Sequence, residues 1–139
     1  MEVTIVVLQL FTAVTALAGG ALLVIRPDGS LLSADTALLA GTPFSDWLVP
    51  GLLLAVLVGV GFLAVGWWRW IQGPFAAVLS IVAGIGLVAF EIVEFSIIGF
   101  HPLQVVYGIL GLTLIALTLI VHLREPRPGV PSQSARRGR

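Results

Sequence analysis

The stretch WLVPGLLLAVLVGVGFLAVGWW, residues 47–68, carries no charged side chain. It is long enough to cross a bilayer core, which takes roughly 20 residues of α-helix. Three further uncharged stretches of similar length are Val3–Ile25, Trp70–Phe90 and Pro102–Val121. The whole chain is 58% hydrophobic and 10% charged, with a mean hydropathy of +1.11. A small water-soluble domain cannot bury that much apolar surface, so the composition predicts an all-α membrane protein.

Turn signals separate four predicted spans, at about 3–25, 47–68, 72–98 and 102–123. Because the second and third connections are short, neighbouring helices are expected to be antiparallel, giving an antiparallel four-transmembrane-helix bundle over residues 1–124. The longer first connection is expected to hold a short outer-surface helix at Ala34–Ala40, capped by Ser33 and ended by Gly41. Residues 125–139, rich in Pro, Ser, Gly and Arg, are expected to form a disordered basic cytoplasmic tail.

Arginine placement predicts the orientation of the bundle. Arg69 lies in the second connection and five further arginines lie from Arg124 onward, whereas the first connection carries more acids than bases. The second connection and both termini are therefore expected in the cytoplasm. Tryptophans would mark the two interfaces, with Trp47 on the outer side. A cleaved signal peptide is the weaker interpretation of the first span, because residues 1–2 carry no positive charge.

Each predicted helix has one face of small and polar residues, and such faces meet in membrane bundles. On the first helix this face has Gln9, Thr12, Ala13, Ala16 and Gly20; on the second, Gly51, Ala55, Gly59 and Gly66; on the third, Ala76, Ala77, Ser80, Gly84, Glu91 and Glu94; on the fourth, Gln104, Tyr107, Gly108, Gly111 and Thr118. We expect these four faces to line the bundle axis.

Glu91 and Glu94 are the only acids inside a predicted span, and their spacing puts them on one helix face. A charge in a membrane is costly, so a pair of carboxyl groups there favours a shared proton or a bound cation. The remaining candidate ligand- or ion-binding residues at the outer level are His101, Gln104, Tyr107, Asp46 and Arg26. Together these residues predict a polar outer pocket above an inner half that is almost wholly apolar.

Simpler interpretations of these residues remain open. Glu94 would be a structural partner of Arg26, since intramembrane charges usually pair. His101 would be a loop residue, and Gln104 and Tyr107 would be interhelical hydrogen-bond partners. A metal site built from two Glu and one His has little support, because no metal-binding spacing is present. No metal and no cofactor is expected.

Composition excludes several functions. The chain has no cysteine, which removes disulfides, thiol catalysis and iron–sulfur ligation. Its net charge is zero and it has no basic stripe, so nucleic-acid binding is not expected. Small multidrug transporters need an acid in the middle of the first helix, where this chain has only Gln9.

The element GTPFSDWLVPG at residues 41–51, the acids late in the third span and QVVY at residues 104–107 resemble an uncharacterised family of small four-helix bacterial inner-membrane proteins. The resemblance covers most of the chain except the tail. It implies a multi-pass protein of the bacterial plasma membrane, and it assigns no catalytic residues.

Three functional hypotheses remain. The favoured one is an accessory or ligand-sensing bundle that acts through a membrane protein partner. The second is a proton- or cation-coupled small transporter or channel, expected to act as a homo-oligomer, that uses Glu91 and Glu94. The third is an enzyme acting on a lipid or quinone at the outer leaflet, with Glu91 and His101 as acid and base; enzymatic activity is the less favoured answer.

Overall fold

The computed structural model describes residues 1–124, and within that range the chain forms helices and no strands. Four helices are long and apolar enough to span a membrane, namely α1 (Glu2–Ile25), α2 (Leu48–Trp70), α3 (Ala76–Ile98) and α4 (Pro102–Arg124). The prediction of four helices of this length and apolar composition is confirmed. The predicted tail, residues 125–139, lies outside the described residues.

The four helices pack in a ring in which α1 contacts α2 and α4, and α3 contacts α2 and α4. Their buried core consists of Ile5, Ala13, Ala16, Val58, Phe62, Leu87 and Leu114. The small and polar face predicted for α1 is buried along its whole length. On the other three helices, every residue of the predicted faces is buried or half-buried.

Two helix pairs approach closely because they meet at glycines. A Cβ atom on Gly20 of α1 would lie 2.6 Å from the carbonyl oxygen of Gly51 on α2. A Cβ atom on Gly84 of α3 would lie 3.0 Å from the carbonyl oxygen of Gly111 on α4. Small residues at such positions allow backbones to touch, so α1–α2 and α3–α4 form two closely packed pairs.

The sequence predicted one continuous α-helix for α2, but the helix is interrupted. Residues Leu54–Val60 are π-helical, between α-helical segments Leu48–Leu53 and Gly61–Trp70. Such segments are rare and often occur at functional sites. This one begins at Leu54, which lies beside the cavity described below.

The ring has two ends. At the Arg69 end, Glu2 lies beside Arg69 and residues 71–75 make a tight connection, which is closed by a 2.9 Å hydrogen bond from Trp68 Nε1 to the Pro74 carbonyl. At the Trp47 end, residues 26–47 fold over the helices and residues 99–101 join α3 to α4.

The first connection holds two short 3₁₀ turns, Ser30–Leu32 and Thr36–Leu39. The second turn occupies the position of the predicted outer-surface helix, but Ser33 does not cap it. Asp35 does so, with its Oδ1 accepting a 2.8 Å hydrogen bond from the Ala37 backbone N–H. Leu39 and Trp47 are buried against Leu23 of α1, which fixes the connection to the bundle.

Candidate functional site

A mostly apolar cavity of about 180 Å³ lies at the Trp47 end, and we call it the Trp47 chamber. The first connection covers one side with Leu39, Phe44 and Trp47. The other walls come from Leu23 on α1, Pro50, Leu53 and Leu54 on α2, and Phe90, Val93, Glu94, Ile97 and Ile98 on α3. Glu94 is the one charged residue in this lining. The sequence predicted a polar pocket here, and that prediction is wrong, because the side chains that line the chamber around Glu94 are apolar.

Glu91 and Glu94 come together as predicted, and their carboxyl groups lie within hydrogen-bonding reach of each other. Two carboxyl groups can form such a bond only when one of them carries a proton. Glu91 is 7% exposed, and its Oε2 has no hydrogen-bond partner among the described residues. The pair therefore has one buried oxygen without a partner, on Glu91, while Glu94 is the member of the pair that lines the Trp47 chamber.

Trp47 presents a second unused polar group. Its side chain is 5% exposed and lines the chamber, and its indole Nε1–H has no acceptor among the described residues. Its backbone N–H donates a 2.8 Å hydrogen bond to the Pro27 carbonyl, which holds it in place. The sequence placed Trp47 in an interfacial aromatic belt. Instead it packs inside the protein, because Leu23 and Leu39 surround it.

Arg26 and Asp46 do not join the site. Arg26 Nη1 lies 4.0 Å from Asp28 Oδ2, with both side chains largely exposed, so Glu94 is not its ion-pair partner. A hydrogen bond from the Ser30 backbone N–H, helped by the Ser30 side chain and by Arg26, lowers the pKa of Asp28. Asp46 Oδ1 accepts a 3.0 Å hydrogen bond from the Leu48 N–H at the start of α2, which is a structural role.

His101 and Gln104 form the N-terminal cap of α4. His101 Nδ1 accepts from the Leu103 N–H at 3.3 Å, and Gln104 Oε1 accepts from the His101 N–H at 2.9 Å. This reciprocal pattern is a capping box, with Pro102 in the first helical position. Gln104 also donates to the Gly99 carbonyl at 3.0 Å, so it bonds locally and not across helices. Only electrostatic proximity of His101 to Glu94 connects this cap to the carboxyl pair. Tyr107 packs against the core.

The Arg69 end contains a buried polar network that the sequence interpretation missed. Arg69 Nε and Nη2 each donate to a carboxylate oxygen of Glu2 at 2.8 Å, and Nη1 donates to Ser80 Oγ at 3.0 Å. Gln9 Nε2 donates to the same Ser80 oxygen at 2.9 Å. Ser80 in turn donates to the Ala76 carbonyl at 2.8 Å. The network joins α1, α2 and α3.

The sequence analysis predicted that the inner half of the bundle is almost wholly apolar. The polar network at the Arg69 end shows that this prediction is wrong. Arg69 was interpreted as a loop charge, yet its side chain is only 5% exposed. The signal was present in the spacing: Phe62, Gly66 and Arg69 follow one another at helical intervals on the buried face of α2. Beside the network, an open cavity of about 740 Å³ is bordered by Glu2, Arg69 and His122 among others.

No group of three or more His, Cys, Asp or Glu residues within positions 1–124 is arranged to hold a metal ion. When the chain is compared with known proteins, it matches no protein-family model, no curated protein and no solved structure.

Proposed function

We propose that the protein is a multi-pass membrane protein, inserted as an antiparallel four-helix bundle with the Arg69 end and both termini in the cytoplasm. The four apolar helices support insertion, and the arginines support this orientation under the positive-inside rule. The bacterial plasma membrane is the location that the resemblance implies. In this orientation the Trp47 chamber lies in the outer half of the bilayer.

We propose further that the Trp47 chamber binds a small lipophilic molecule carrying a protonated amine, and that the protein is an accessory or ligand-sensing bundle that signals through a membrane protein partner. The observation that carries this proposal is Glu94, the one charged residue in the otherwise apolar lining of the chamber, which forms no salt bridge with an Arg of residues 1–124. A carboxylate in an apolar wall is costly unless it is paired, and a ligand cation that pairs with it recovers part of that cost.

The size and charge of the chamber define the ligand class. At about 180 Å³ it resembles the ~150 Å³ engineered cavities that hold one benzene ring. Glu94 in the wall is an acceptor-only group when ionised, and a protonated amine is a donor-only partner for it. An aromatic or short aliphatic amine satisfies both the apolar walls and the carboxylate.

The test is thermal unfolding of the purified full chain in detergent with benzylamine, toluene or benzoate added. Benzylamine should raise the melting temperature, toluene should do so less, and benzoate should not. Glu94→Gln should remove the advantage of benzylamine over toluene, because the neutral amide no longer attracts the cation. Asp28→Asn is the matched control, since it removes an acid outside the chamber at the same end. An equal response of wild type and Glu94→Gln to benzylamine would overturn the assignment.

Proton- or cation-coupled transport is the second candidate, and the buried polar groups of the Arg69 end favour it. Gln9, Ser80 and Thr118 are fully buried there, and Thr118 Oγ1 has no hydrogen-bond partner among residues 1–124. The apolar layer of Phe62, Leu87 and Leu114 separates these groups from Glu91. Proton flux into liposomes distinguishes the two functions: a transporter shows flux that Glu91→Gln abolishes, and a sensor shows none in either protein.

A further inference from the structure

A second apolar groove lies on the seam between α2 and α3, directly below the Trp47 chamber. It measures about 340 Å³, and its walls include Leu57, Gly61 and Val65 on α2, and Leu79 and Gly86 on α3. Phe90 lines both the groove and the chamber. The two spaces therefore follow one another along the same seam, and we call the combined space the α2–α3 crevice.

The crevice has the length of a long hydrocarbon chain. From Glu94 at its head to Leu79 at its foot, α3 rises by about 22 Å at 1.5 Å per residue. This is about three-quarters of the ~30 Å hydrocarbon thickness of a bilayer. Leu57 and Val82, at the edges of the groove, are 61% and 58% exposed, so the crevice opens sideways toward lipid.

Glycine keeps the crevice open. A Cβ atom placed on Gly61 or Gly86 would meet nothing within 4 Å, in contrast to the glycines at the close helix contacts. A methyl group at either position would fit without moving the protein, so packing between α2 and α3 does not require glycine there. These two positions leave space for something that is not part of the chain.

The head of the crevice is polar and acidic. Trp47, whose buried indole N–H has no acceptor among the described residues, and Glu94 both line the chamber there. Within residues 1–124 neither Glu91 nor Glu94 forms a salt bridge: Arg26 lies 4.0 Å from Asp28, and His101 Nδ1 accepts from the Leu103 N–H. A molecule with a hydrocarbon chain, an oxygen acceptor and an ammonium group complements all three features.

We infer that the α2–α3 crevice holds one membrane lipid with a primary-ammonium headgroup. Its chain lies along the groove, its ammonium group pairs with Glu94, and one of its phosphate or ester oxygens accepts from Trp47 Nε1. This inference rests on the proposed function of the Trp47 chamber and extends it, since the amine recognised by the chamber becomes the headgroup of a lipid. A protein of this kind would report the ammonium-lipid content of its bilayer.

The test is native mass spectrometry of the delipidated full chain in detergent, titrated with lysophosphatidylethanolamine or lysophosphatidylglycerol of equal chain length. Wild type should bind one ethanolamine lipid in preference to the glycerol lipid. The leucine side chain of Gly61→Leu or Gly86→Leu fills part of the groove. It should displace about two methylene groups of the lipid chain from the groove, which weakens lipid binding about tenfold. Gly108→Leu is the matched control, because its Cβ also meets nothing and it lies on α4, away from the seam.

Three results would overturn the inference. Equal binding of the two lipids would refute headgroup recognition by Glu94. Equal affinity in Gly86→Leu and Gly108→Leu would refute a chain in the groove. A dimer that disappears in Gly86→Leu would make the groove a self-interface. The benzylamine experiment separates these failures from failure of the proposed function, because a Glu94-dependent response to benzylamine would leave the chamber assignment standing without the lipid.

Discussion

Replacing Glu2 with glutamine tests whether the buried network at the Arg69 end stabilises the fold. Glu2 accepts two hydrogen bonds from Arg69, and its side chain is 54% exposed, whereas that of Arg69 is 5% exposed. The substitution keeps one acceptor and removes both the charge and one charge-assisted hydrogen bond. Bonds to charged groups contribute about 1.5–3 kcal/mol. Because water screens the exposed carboxylate, we expect a loss below the ~3–5 kcal/mol of a fully buried pair, namely about 1.5–3 kcal/mol.

The loss of stability in Glu2→Gln should come mainly from the buried Arg69 guanidinium, which no longer has a charged partner. Arg69→Met removes the buried charge, keeps much of the stem volume and leaves Ser80 bonded to Gln9 and to the Ala76 carbonyl. In Arg69→Met the unpaired Glu2 carboxylate can face water, because its side chain is already 54% exposed. In the double variant Glu2→Gln/Arg69→Met there is no buried cation to strand, so its stability should exceed that of Glu2→Gln.

The assay is reversible unfolding in mixed detergent micelles, read as a double-mutant cycle. The two single substitutions and the double one give the coupling free energy between Glu2 and Arg69. Interhelical hydrogen bonds in membrane proteins average only ~0.6 kcal/mol by this method, so a larger coupling identifies the charged pair. Asp28→Asn is the control, because its ion pair with Arg26 is long and exposed. Additive effects, or a Glu2→Gln protein as stable as wild type, would refute the reasoning.

Three further predictions use melting temperature in detergent as their measurement. Glu91→Gln should leave stability unchanged or raise it, because the new amide donates to Glu94; a clear decrease would show that Oε2 has a structural partner. Gln104→Ala should lose the α4 cap and cost about 0.5–2 kcal/mol, whereas Gln104→Glu, which keeps the acceptor, should lose less. Gly84→Leu should cost at least about 1–3 kcal/mol, since its Cβ meets Ile115 at 2.7 Å, whereas Gly86→Leu should be tolerated.

Helix positions and buried faces were predictable because they follow from two local properties, apolar length and helical period. Thr12 and Ala16 on α1 and Gly111 on α4 are buried where the period places them. The antiparallel arrangement and the membrane orientation stay predictions. The π-helical segment Leu54–Val60 was not predictable, because no residue in it marks a change in hydrogen-bond register.

The candidate site was predicted only in part, because residue type does not reveal which partner a polar group will choose. Glu91 and Glu94 share a helix face, and adjacency along one helix is readable from spacing. His101 and Gln104 instead bond within their own helix terminus, although the spacing of a capping box was present in the sequence. Arg69 looked like a loop residue because it interrupts the apolar run between Trp68 and Trp70. The helix α2 nevertheless continues through it to Trp70.

Glycine has two distinct roles in this protein, and the distinction locates the crevice. Gly20, Gly51, Gly84 and Gly111 lie where a side chain would collide with the neighbouring helix, and they hold α1 to α2 and α3 to α4. Gly61 and Gly86 lie on the seam between the two pairs, where a side chain would collide with nothing.

The seam is closed at one end only. At the Arg69 end, hydrogen bonds from Arg69 and Gln9 to Ser80 join the two helix pairs. At the Trp47 end, their contact is made through apolar side chains around a cavity. A chain that fills the crevice therefore packs against both helix pairs from the Trp47 end down to the level of these hydrogen bonds. Its binding would stabilise the arrangement of the pairs, and that arrangement is what a partner protein would detect.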